Sequence, residues 1–290
     1  MIAFTGVSFQ LLNSLIKVVT LAEEKGKKDV PKNSSTKFKN SVKERIVLCL
    51  CKLRLNLTYR CLSVLFDLNR RSVCDNFIYM IELLSKILKQ VIYWPTYEEN
   101  IDSMPKCFYK FKNVRIVLDC TEIPVEKPNC LKCRLRHYSH YKGFETLKLL
   151  LGVAPSGLIT LLTYAYGGRA SDKAIFNKSG LLEKLEPTRD AVMVDKGFDI
   201  AVECAQNFIP LIQPAKLKKK QVQFSKEQVI QTNDIAAARV HVERTIQRFK
   251  IFEITSKKIS RTLIPYIDKI FTVIAGIVNL KDPILADDKF

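Results

Sequence analysis

A short stretch near the middle of the chain, Val114 to Pro128 (VRIVLDCTEIPVEKP), constrains the fold more than any other. Its β-branched and apolar residues predict a buried strand over Val114 to Leu118 that ends at Asp119. Open α/β sheets place their chemistry where the chain leaves the packed layer, so a carboxylate at the end of a buried strand is a candidate site residue. Asp119 can equally be an ordinary turn residue. The later segments of the sequence are needed to distinguish a site residue from a turn residue.

The charge balance indicates a polyanionic partner. The 290 residues include 47 Lys and Arg against 29 Asp and Glu, a formal net charge of +18. Nucleic acid is the most common partner of so basic a chain, because phosphate contacts release counterions whatever the base sequence. A membrane surface or a ribosomal context fits the charge alone as well.

The remaining composition favours a globular, intracellular protein. The nine cysteines are an odd number without a regular framework, which indicates reduced thiols rather than disulfides. The first residues lack the basic start and the cleavage site of a signal peptide. The two most apolar stretches are interrupted, one by Pro155 to Gly157 and the other by Pro265, Asp268 and Lys269, so no membrane span is predicted.

The region from Val42 to Leu88 has helical periodicity. Thr58 is a suitable N-cap for a helix through Phe66, a turn follows at Asp67 to Asn69, and a longer helix comes next. Two helices joined by a tight turn form the layout of a DNA-binding helix-turn-helix, although ordinary helical bundles share it. At the start of the second helix, the candidate DNA-binding residues are Arg70, Arg71 and Ser72.

After a connector with two prolines, the pattern changes to strands. Three strand-like segments are followed by alternating helices and short strands, which predicts a mixed α/β sheet with flanking helices behind a small all-α region. We therefore expect an N-terminal helix and basic linker at 1–41, a helix-turn-helix-like region at 42–92, and an α/β domain at 110–285.

Three further acids join Asp119 as candidates. Asp195 ends the short apolar strand VMVD, Asp172 follows GGRAS, and Glu243 lies beside the apolar stripe of a long helix. Carboxylates on rigid elements are the hard oxygen ligands that Mg²⁺ requires, with positions left open for water and phosphate. Each acid also has a simpler explanation, since Asp172 can cap its helix and Glu243 can pair with Arg239 or Arg244.

In this order the segments carry a family resemblance. VLDCTEIPVEKP, HYSHYKGFETLKLLLGVAPSGLITLLTYAYGGRASDKAI, VMVDKGFDI and RVHVERTIQRFK resemble the successive blocks of the DDE superfamily endonucleases, the PIF/Harbinger-type transposases and their domesticated relatives. The resemblance covers nearly the whole chain. It implies an RNase H-like catalytic domain in which Asp119, Asp195 and Glu243 bind the catalytic metal ions, Mg²⁺ or Mn²⁺, with Asp172 as a fourth carboxylate.

The resemblance also implies the chemistry and the partners. We expect cleavage of DNA phosphodiester bonds by water, with strand transfer as an optional second step, and a nuclear location. Such relatives often work with a separate Myb-like DNA-binding protein, and a homo-oligomer is one arrangement left open. From charge and neighbourhood alone, Lys196, Arg244 and Lys250 are candidates for contacts with DNA phosphates, against a solvated basic face.

Two alternatives to a nuclease remain open at this level. One is a domesticated DNA-binding or scaffold protein that keeps the fold without the activity, and the other is a basic enzyme acting on small phosphate esters. A separate local pattern, Cys130, Cys133, His137 and His140, has the ligand types of a zinc site, but its spacing does not match a zinc finger. We favour ordinary cysteines there.

Overall fold

The computed structural model describes residues 1–28, 38, 40–217 and 223–282. They form two compact units, one made of residues 1–91 with 249–281 and the other of residues 92–248 with the chain end from 282. The units divide the chain differently from the predicted domains, because residues 249–281 group with the N-terminal helices rather than with the sheet. The predicted linker ahead of position 41 lies largely outside the described residues.

The first unit is helical. Its helices are α1 (Ile2–Thr5), α2 (Phe9–Lys28), α3 (Val42–Leu55), α4 (Tyr59–Leu65), α5 (Arg70–Leu88), α11 (Glu253–Ser256) and α12 (Ile267–Asn279), with 3₁₀ turns at Lys89–Val91 and Arg261–Tyr266. The predicted cap of α4 is confirmed, since Thr58 accepts a hydrogen bond from the Cys61 amide at 3.2 Å. Asn69 caps α5 in the same way. These caps satisfy amides that the first helical turn leaves without partners.

Helices α5 and α12 form the centre of this unit. The apolar side chains predicted for one face of α5, including Phe77, Met80 and Leu84, are completely buried. Gly276 of α12 lies so close to Leu88 that a Cβ atom there would come within 2.7 Å of the Leu88 side chain. The stretch Arg261–Asn279 is apolar and long enough to cross a membrane, yet 56% of its apolar window is buried in the protein, as in a core helix.

The second unit is built on a mixed seven-stranded sheet. Its strands are β1 (Val114–Pro124), β2 (Tyr138–Ser139), β3 (Phe144–Val153), β4 (Ile159–Leu162), β5 (Tyr166–Gly167), β6 (Ala191–Met193) and β7 (Leu211–Ile212). The main order is β2-β3-β1-β6-β7, and β4 and β5 pair with β3. Strand β1 is antiparallel to β3 and parallel to β6, which in turn is parallel to β7. This is the mixed, RNase H-like sheet that the sequence predicted.

Helices flank this sheet. They are α6 (Tyr97–Asp102), α7 (Leu131–His137), α8 (Asp172–Asn177), α9 (Ala201–Gln206) and α10 (Lys226–Lys250), with 3₁₀ turns at Lys106–Phe111 and Leu182–Lys184. The prediction that the first strand ends at Asp119 is wrong. Strand β1 continues to Pro124 because its pairing with β3 runs on from Asp119↔Leu151 to Pro124↔Thr146, with Ile123 buried on the way.

A buried ion pair holds the N-terminal end of β1 in place. The Arg115 guanidinium lies 3.5 Å from a carboxylate oxygen of Asp190, and the side chains are only 4% and 2% exposed. Arg115 also donates hydrogen bonds to the carbonyl oxygens of Pro95 and Thr96 and lies over the Trp94 ring. A buried charge is tolerated only with such partners, so this cluster holds the entry to β1 against the chain that leads into β6.

Candidate active site and DNA-binding surface

Two of the candidate acids occupy equivalent positions on neighbouring parallel strands. The last register pair between β1 and β6 is Val117↔Met193. Asp119 lies two residues beyond Val117, and Asp195 lies two residues beyond Met193. Neighbouring parallel strands rise by the same distance per residue, so the two carboxylates lie at the same level of the sheet. Asp119 is half-buried and Asp195 is exposed, which leaves both acids accessible from solvent.

Both acids project from the same face of the sheet. The opposite face carries the core cluster that contains Ile116, Leu118 and Val194, together with Ile175 of helix α8. Since successive side chains of a strand alternate between faces, Asp119 and Asp195 point away from that cluster. We call their side the acid face and the other side the α8 face.

Helix α10 runs along the acid face. Arg239 donates a hydrogen bond from Nη1 to Oδ1 of Asp195 at 2.8 Å, and Thr245 donates from Oγ1 to the Gly157 carbonyl at 3.0 Å. Gly157 belongs to the turn after β3, so the two contacts tie the helix to both flanks of β1. Glu243 lies between these two residues in sequence, four positions after Arg239, and is exposed. One helical turn therefore separates Glu243 from the residue that binds Asp195.

Asp172 belongs to the opposite face. It is the first residue of α8, and its Oδ1 lies 3.0 Å from Nζ of Lys148. Lys148 is also 3.3 Å from a carboxylate oxygen of Glu122, its register partner across β1. Asp172 does not cap α8, because Ser171 does. The structure thus brings Asp119, Asp195 and helix α10 together on one face and places Asp172 on the other.

The α8 face holds its acids in a closed network. Thr146 donates a hydrogen bond from Oγ1 to Glu122 at 2.8 Å, and the Glu122 side chain is only 8% exposed. Burial raises the pKa of the neighbouring Cys120 thiol, and the charges of Asp172 and Asp119 raise it further. Cys120 is therefore a neutral thiol at neutral pH. Glu122 is a structural residue in this arrangement.

The acid face fits a divalent metal ion by the chemistry of its donors. Carboxylate oxygens on two neighbouring strands and an exposed glutamate on an adjacent helix are the hard ligands that Mg²⁺ and Mn²⁺ prefer. Among the described residues, no three His, Cys, Asp or Glu side chains are close enough to hold an ion together. The Arg239 guanidinium binds Oδ1 of Asp195, so an ion that uses this oxygen has to displace the contact.

Within the described residues, the Cys and His side chains after β1 are not grouped closely enough to hold an ion together. The Cys130 and Cys133 thiols contact each other, and Nδ1 of His137 lies 2.8 Å from the Cys133 carbonyl oxygen. His140 packs edge-on against Tyr138 instead. The interpretation as ordinary cysteines stays a prediction.

The second helix of the helix-turn-helix, α5, presents two chemically different surfaces. Arg70 and Arg71 are exposed at its start, and Arg71 makes only a 3.9 Å contact with Asp75. A groove of about 720 Å³ runs beside the same helix, and the charged residues that line it within the described part of the chain are Asp67, Asp75 and Glu82. Ser72 lines this acidic groove, so it is less suited to a phosphate contact than the two arginines.

The other predicted phosphate contacts are distributed along the chain. Lys196 is exposed directly after Asp195, and its ammonium lies 5.8 Å from the centre of the Phe224 ring. Arg244 is half-buried beside Glu243, and Lys250 is exposed at the end of α10. A role in DNA binding stays a prediction for all three.

Family comparison agrees with this geometry. The model of the DDE superfamily endonucleases matches residues 118–279, more than half of the chain. The model of the helix-turn-helix of the same endonucleases matches residues 41–90, which include α3, α4 and α5. The chain belongs to the DDE superfamily endonucleases and carries their helix-turn-helix.

A curated relative extends the match over nearly the full length. The chain is 27% identical over 257 residues to the probable transposase of insertion sequence element IS702 from Microchaete diplosiphon, covering 88% of this chain and 84% of the relative. The similarity therefore includes both the helical unit and the sheet unit.

Arg239 and Lys148 are the two site-related residues whose roles the sequence did not predict. The four-residue spacing between Arg239 and Glu243 suggested an ion pair within the helix, but Arg239 binds Asp195 on a strand instead. No local pattern indicates that Lys148 bridges two acids, because that contact depends on the register of β1 against β3.

Proposed function

We propose that this protein is a divalent-metal-dependent DNA endonuclease of the transposase type, with Asp119, Asp195 and Glu243 as its catalytic carboxylates. One observation supports this most. Asp119 and Asp195 lie at the same level of two neighbouring parallel strands, β1 and β6, and on the face of the sheet along which α10 runs. The membership in the DDE superfamily and the helix-turn-helix support DNA as the substrate.

In this proposal, each of the three acids holds metal ions through side-chain oxygens. When bound, the ions supply activation of the attacking water and stabilisation of the leaving 3′-oxygen in phosphodiester cleavage. The sheet contributes rigidity, since the main chain of Asp119 is paired with Leu151 within a continuous strand. With Asp195 engaged as a ligand, Arg239 would lose this partner, and its guanidinium would be available to a DNA phosphate.

The helical unit would deliver the DNA in this proposal. Arg70 and Arg71, at the start of α5, would contact phosphates beside a major groove. Strand transfer by the freed 3′-hydroxyl, a nuclear location, a homo-oligomer and a Myb-like partner remain proposals that follow from the resemblance to PIF/Harbinger-type transposases.

A nicking assay tests the proposal. Supercoiled plasmid carrying the DNA that flanks this gene is incubated with protein in Mg²⁺ or Mn²⁺, and nicked circles are quantified. We expect nicking by the wild type that is lost in Asp119→Ala, Asp195→Ala and Glu243→Ala while binding to the same DNA persists. Asp199→Asn is the matched control, because Asp199 is exposed and only four residues beyond Asp195.

The alternative is a scaffold or DNA-binding protein that keeps the fold. It predicts salt-sensitive DNA binding without cutting under any divalent ion. If the three alanine variants nick DNA as fast as the wild type, the carboxylate assignment is wrong even though the protein is a nuclease.

A further inference from the structure

A short hairpin beyond the catalytic strand is built unusually rigidly for a surface turn. Strands β2 and β3 pair as Tyr138↔Glu145 and Ser139↔Phe144, and the chain reverses between them. Ser139 is buried, and its Oγ and carbonyl oxygen accept hydrogen bonds from the amides of Lys142 and Gly143, at 3.1 and 2.8 Å. Gly143 has φ +76°, a conformation that glycine adopts without strain.

This turn exposes aromatic rings on both faces of the hairpin, because Tyr138 and Phe144 belong to successive register pairs and therefore point to opposite faces. Tyr141 is 85% exposed, Phe144 42% and Tyr138 39%. His140 is exposed as well and packs edge-on against Tyr138, with the ring centres 5.5 Å apart. Large aromatic side chains that are exposed to solvent on a hydrogen-bonded turn are candidates for an interaction surface. We call residues 138–144 the aromatic hairpin.

The charge around the aromatic hairpin identifies the kind of partner. Residues 127–144 contain five basic side chains and no acidic one; the basic residues are Lys127, Lys132, Arg134, Arg136 and Lys142. The Lys142 ammonium lies 4.8 Å from the centre of the Tyr141 ring. Exposed rings interleaved with Lys and Arg are the combination by which proteins bind single-stranded nucleic acid, with the rings stacking on bases and the cations meeting phosphates.

We infer that the aromatic hairpin binds unpaired bases of the DNA strand that flanks the cleavage site. The inference rests on the proposed nuclease function and adds the form of the substrate: a DNA end or junction with bases out of the duplex. A protein partner would not require a segment with five basic residues and no acidic one, and a duplex backbone alone would not require exposed rings.

The sheet sets the distance between the hairpin and the site. Asp119 pairs with Leu151, and Phe144 lies seven residues earlier on the same strand β3. At about 3.3 Å per residue, the hairpin lies about 23 Å from the level of Asp119. One strand of a DNA duplex spans this distance in about seven nucleotides at about 3.4 Å each, which is an upper bound for a strand that is unpaired and more extended. The bases that stack on the hairpin are therefore expected within about seven nucleotides of the scissile phosphate.

Fluorescence binding in EDTA tests the inference without catalysis. The probes are a single-stranded 20-mer with a central 2-aminopurine and the same oligonucleotide in a duplex. We expect the wild type to quench 2-aminopurine in the single strand by stacking, and Tyr141→Ala to lose about tenfold in affinity for it with duplex binding within twofold. Tyr141→Phe keeps the ring and is expected to bind like the wild type.

Tyr109→Ala is the matched control, because Tyr109 is also strongly exposed, at 59%, but precedes the first residue of β1. Equal losses in the Tyr109 and Tyr141 alanine variants, or a loss in duplex binding as large as in single-strand binding, would overturn the inference. So would sedimentation showing that Tyr141→Ala only dissociates an oligomer. Plasmid nicking by the wild type in Mg²⁺ is scored separately, so failure of the nuclease proposal is distinguishable from failure of the hairpin proposal.

Discussion

The sheet carries carboxylate side chains on both faces of strand β1, but their surroundings differ between the two faces. On the α8 face, Glu122 and Asp172 share Lys148, and Glu122 has Thr146 as a further partner. On the acid face, Asp195 is 55% exposed and has an arginine from a helix as its ion-pair partner. A carboxylate enclosed with a lysine contributes to the fold, whereas one that faces solvent at the level of a second carboxylate is available to a metal ion.

This comparison also shows that the number of acids near a strand does not define a metal site. Alternation along the strands places Glu122 on the α8 face and Asp119 and Asp195 on the acid face, and Asp172 reaches the α8 face from helix α8. Neighbouring residues such as Asp119 and Cys120 therefore have different roles. The following experiments test the division, beginning with the largest expected effect.

Substitution of adjacent residues on the two faces is the sharpest test. Asp119→Asn removes a charged ligand oxygen with almost no change of shape, and we expect DNA nicking to fall at least about a thousandfold, since metal ions contribute several kcal/mol to such reactions. Cys120→Ala, one residue further on the α8 face, is expected to keep nicking within about threefold. Single-turnover nicking at saturating Mn²⁺ measures both.

A comparable loss in both variants would mean that general damage to β1, and not the loss of a ligand, stops the reaction. Thermal unfolding of both proteins serves as the control, and Asp119→Asn is expected to unfold at or above the temperature of the wild type.

Lys148→Met tests the structural role of the α8 face. The change leaves the buried Glu122 carboxylate without its cation, and we expect the free energy of unfolding to drop by about 3 kcal/mol. Urea unfolding followed by tryptophan fluorescence measures this, because the single tryptophan, Trp94, lies in the sheet unit and packs on the core cluster of the α8 face.

Two further variants check the reason for that loss. Glu122→Gln combined with Lys148→Met removes the orphaned charge and is expected to recover about half of the lost stability. Lys132→Met, at an exposed lysine, is expected to change it by less than about 0.5 kcal/mol. If the double variant is less stable than Lys148→Met alone, the lysine acts through packing and not through charge.

Arg239→Gln tests the acid face in the absence of DNA. Arg239 neutralises Asp195, and its Nε is buried without a hydrogen-bond partner among the described residues. Removal of a cation beside a metal site favours the metal ion, so we expect Mn²⁺ to bind about tenfold more tightly. Calorimetric titration of Mn²⁺ measures this directly.

The matched control for that titration is Arg248→Gln, more than two helical turns further along α10. Arg248 donates a hydrogen bond to the Asp282 carbonyl, away from Asp195, so its removal is expected to leave Mn²⁺ binding as in the wild type. Unchanged Mn²⁺ affinity in Arg239→Gln would mean that Asp195 is not a ligand.

Local patterns in the sequence predicted the elements that depend on local physics. Thr58 as a cap and the buried stripe of α5 follow from helical geometry, and both are confirmed. The short buried strand that was predicted to end at Asp195 also follows from an apolar run, although β6 ends at Met193, two residues before Asp195. The helix-turn-helix and the mixed sheet are therefore predictable from the order of such local patterns along the chain.

The features that local patterns did not predict depend on which distant segments meet. Strand β1 was predicted to end at Asp119 because a charged residue after an apolar run usually marks the end of a buried strand. Pairing with β3 keeps the chain of β1 extended as far as Pro124. The grouping of residues 249–281 with the N-terminal helices is equally invisible to local patterns, as it depends on contacts such as Gly276 against Leu88. The bridge from Lys148 to two acids has the same origin.

The smallest effect is expected for Asp172→Asn, which addresses the fourth acid that the family resemblance implies. Asp172 is 37% exposed and shares its lysine with Glu122, so the loss of its charge is expected to cost less than about 1 kcal/mol of stability. Because its side chain lies on the α8 face, we expect nicking and Mn²⁺ affinity to stay within about threefold of the wild type. Single-turnover nicking and calorimetry, run beside Asp119→Asn, measure this. A loss of nicking as large as that of Asp119→Asn would mean that the faces are not separate in the metal-bound protein, and that α8 moves to bring Asp172 to the ions.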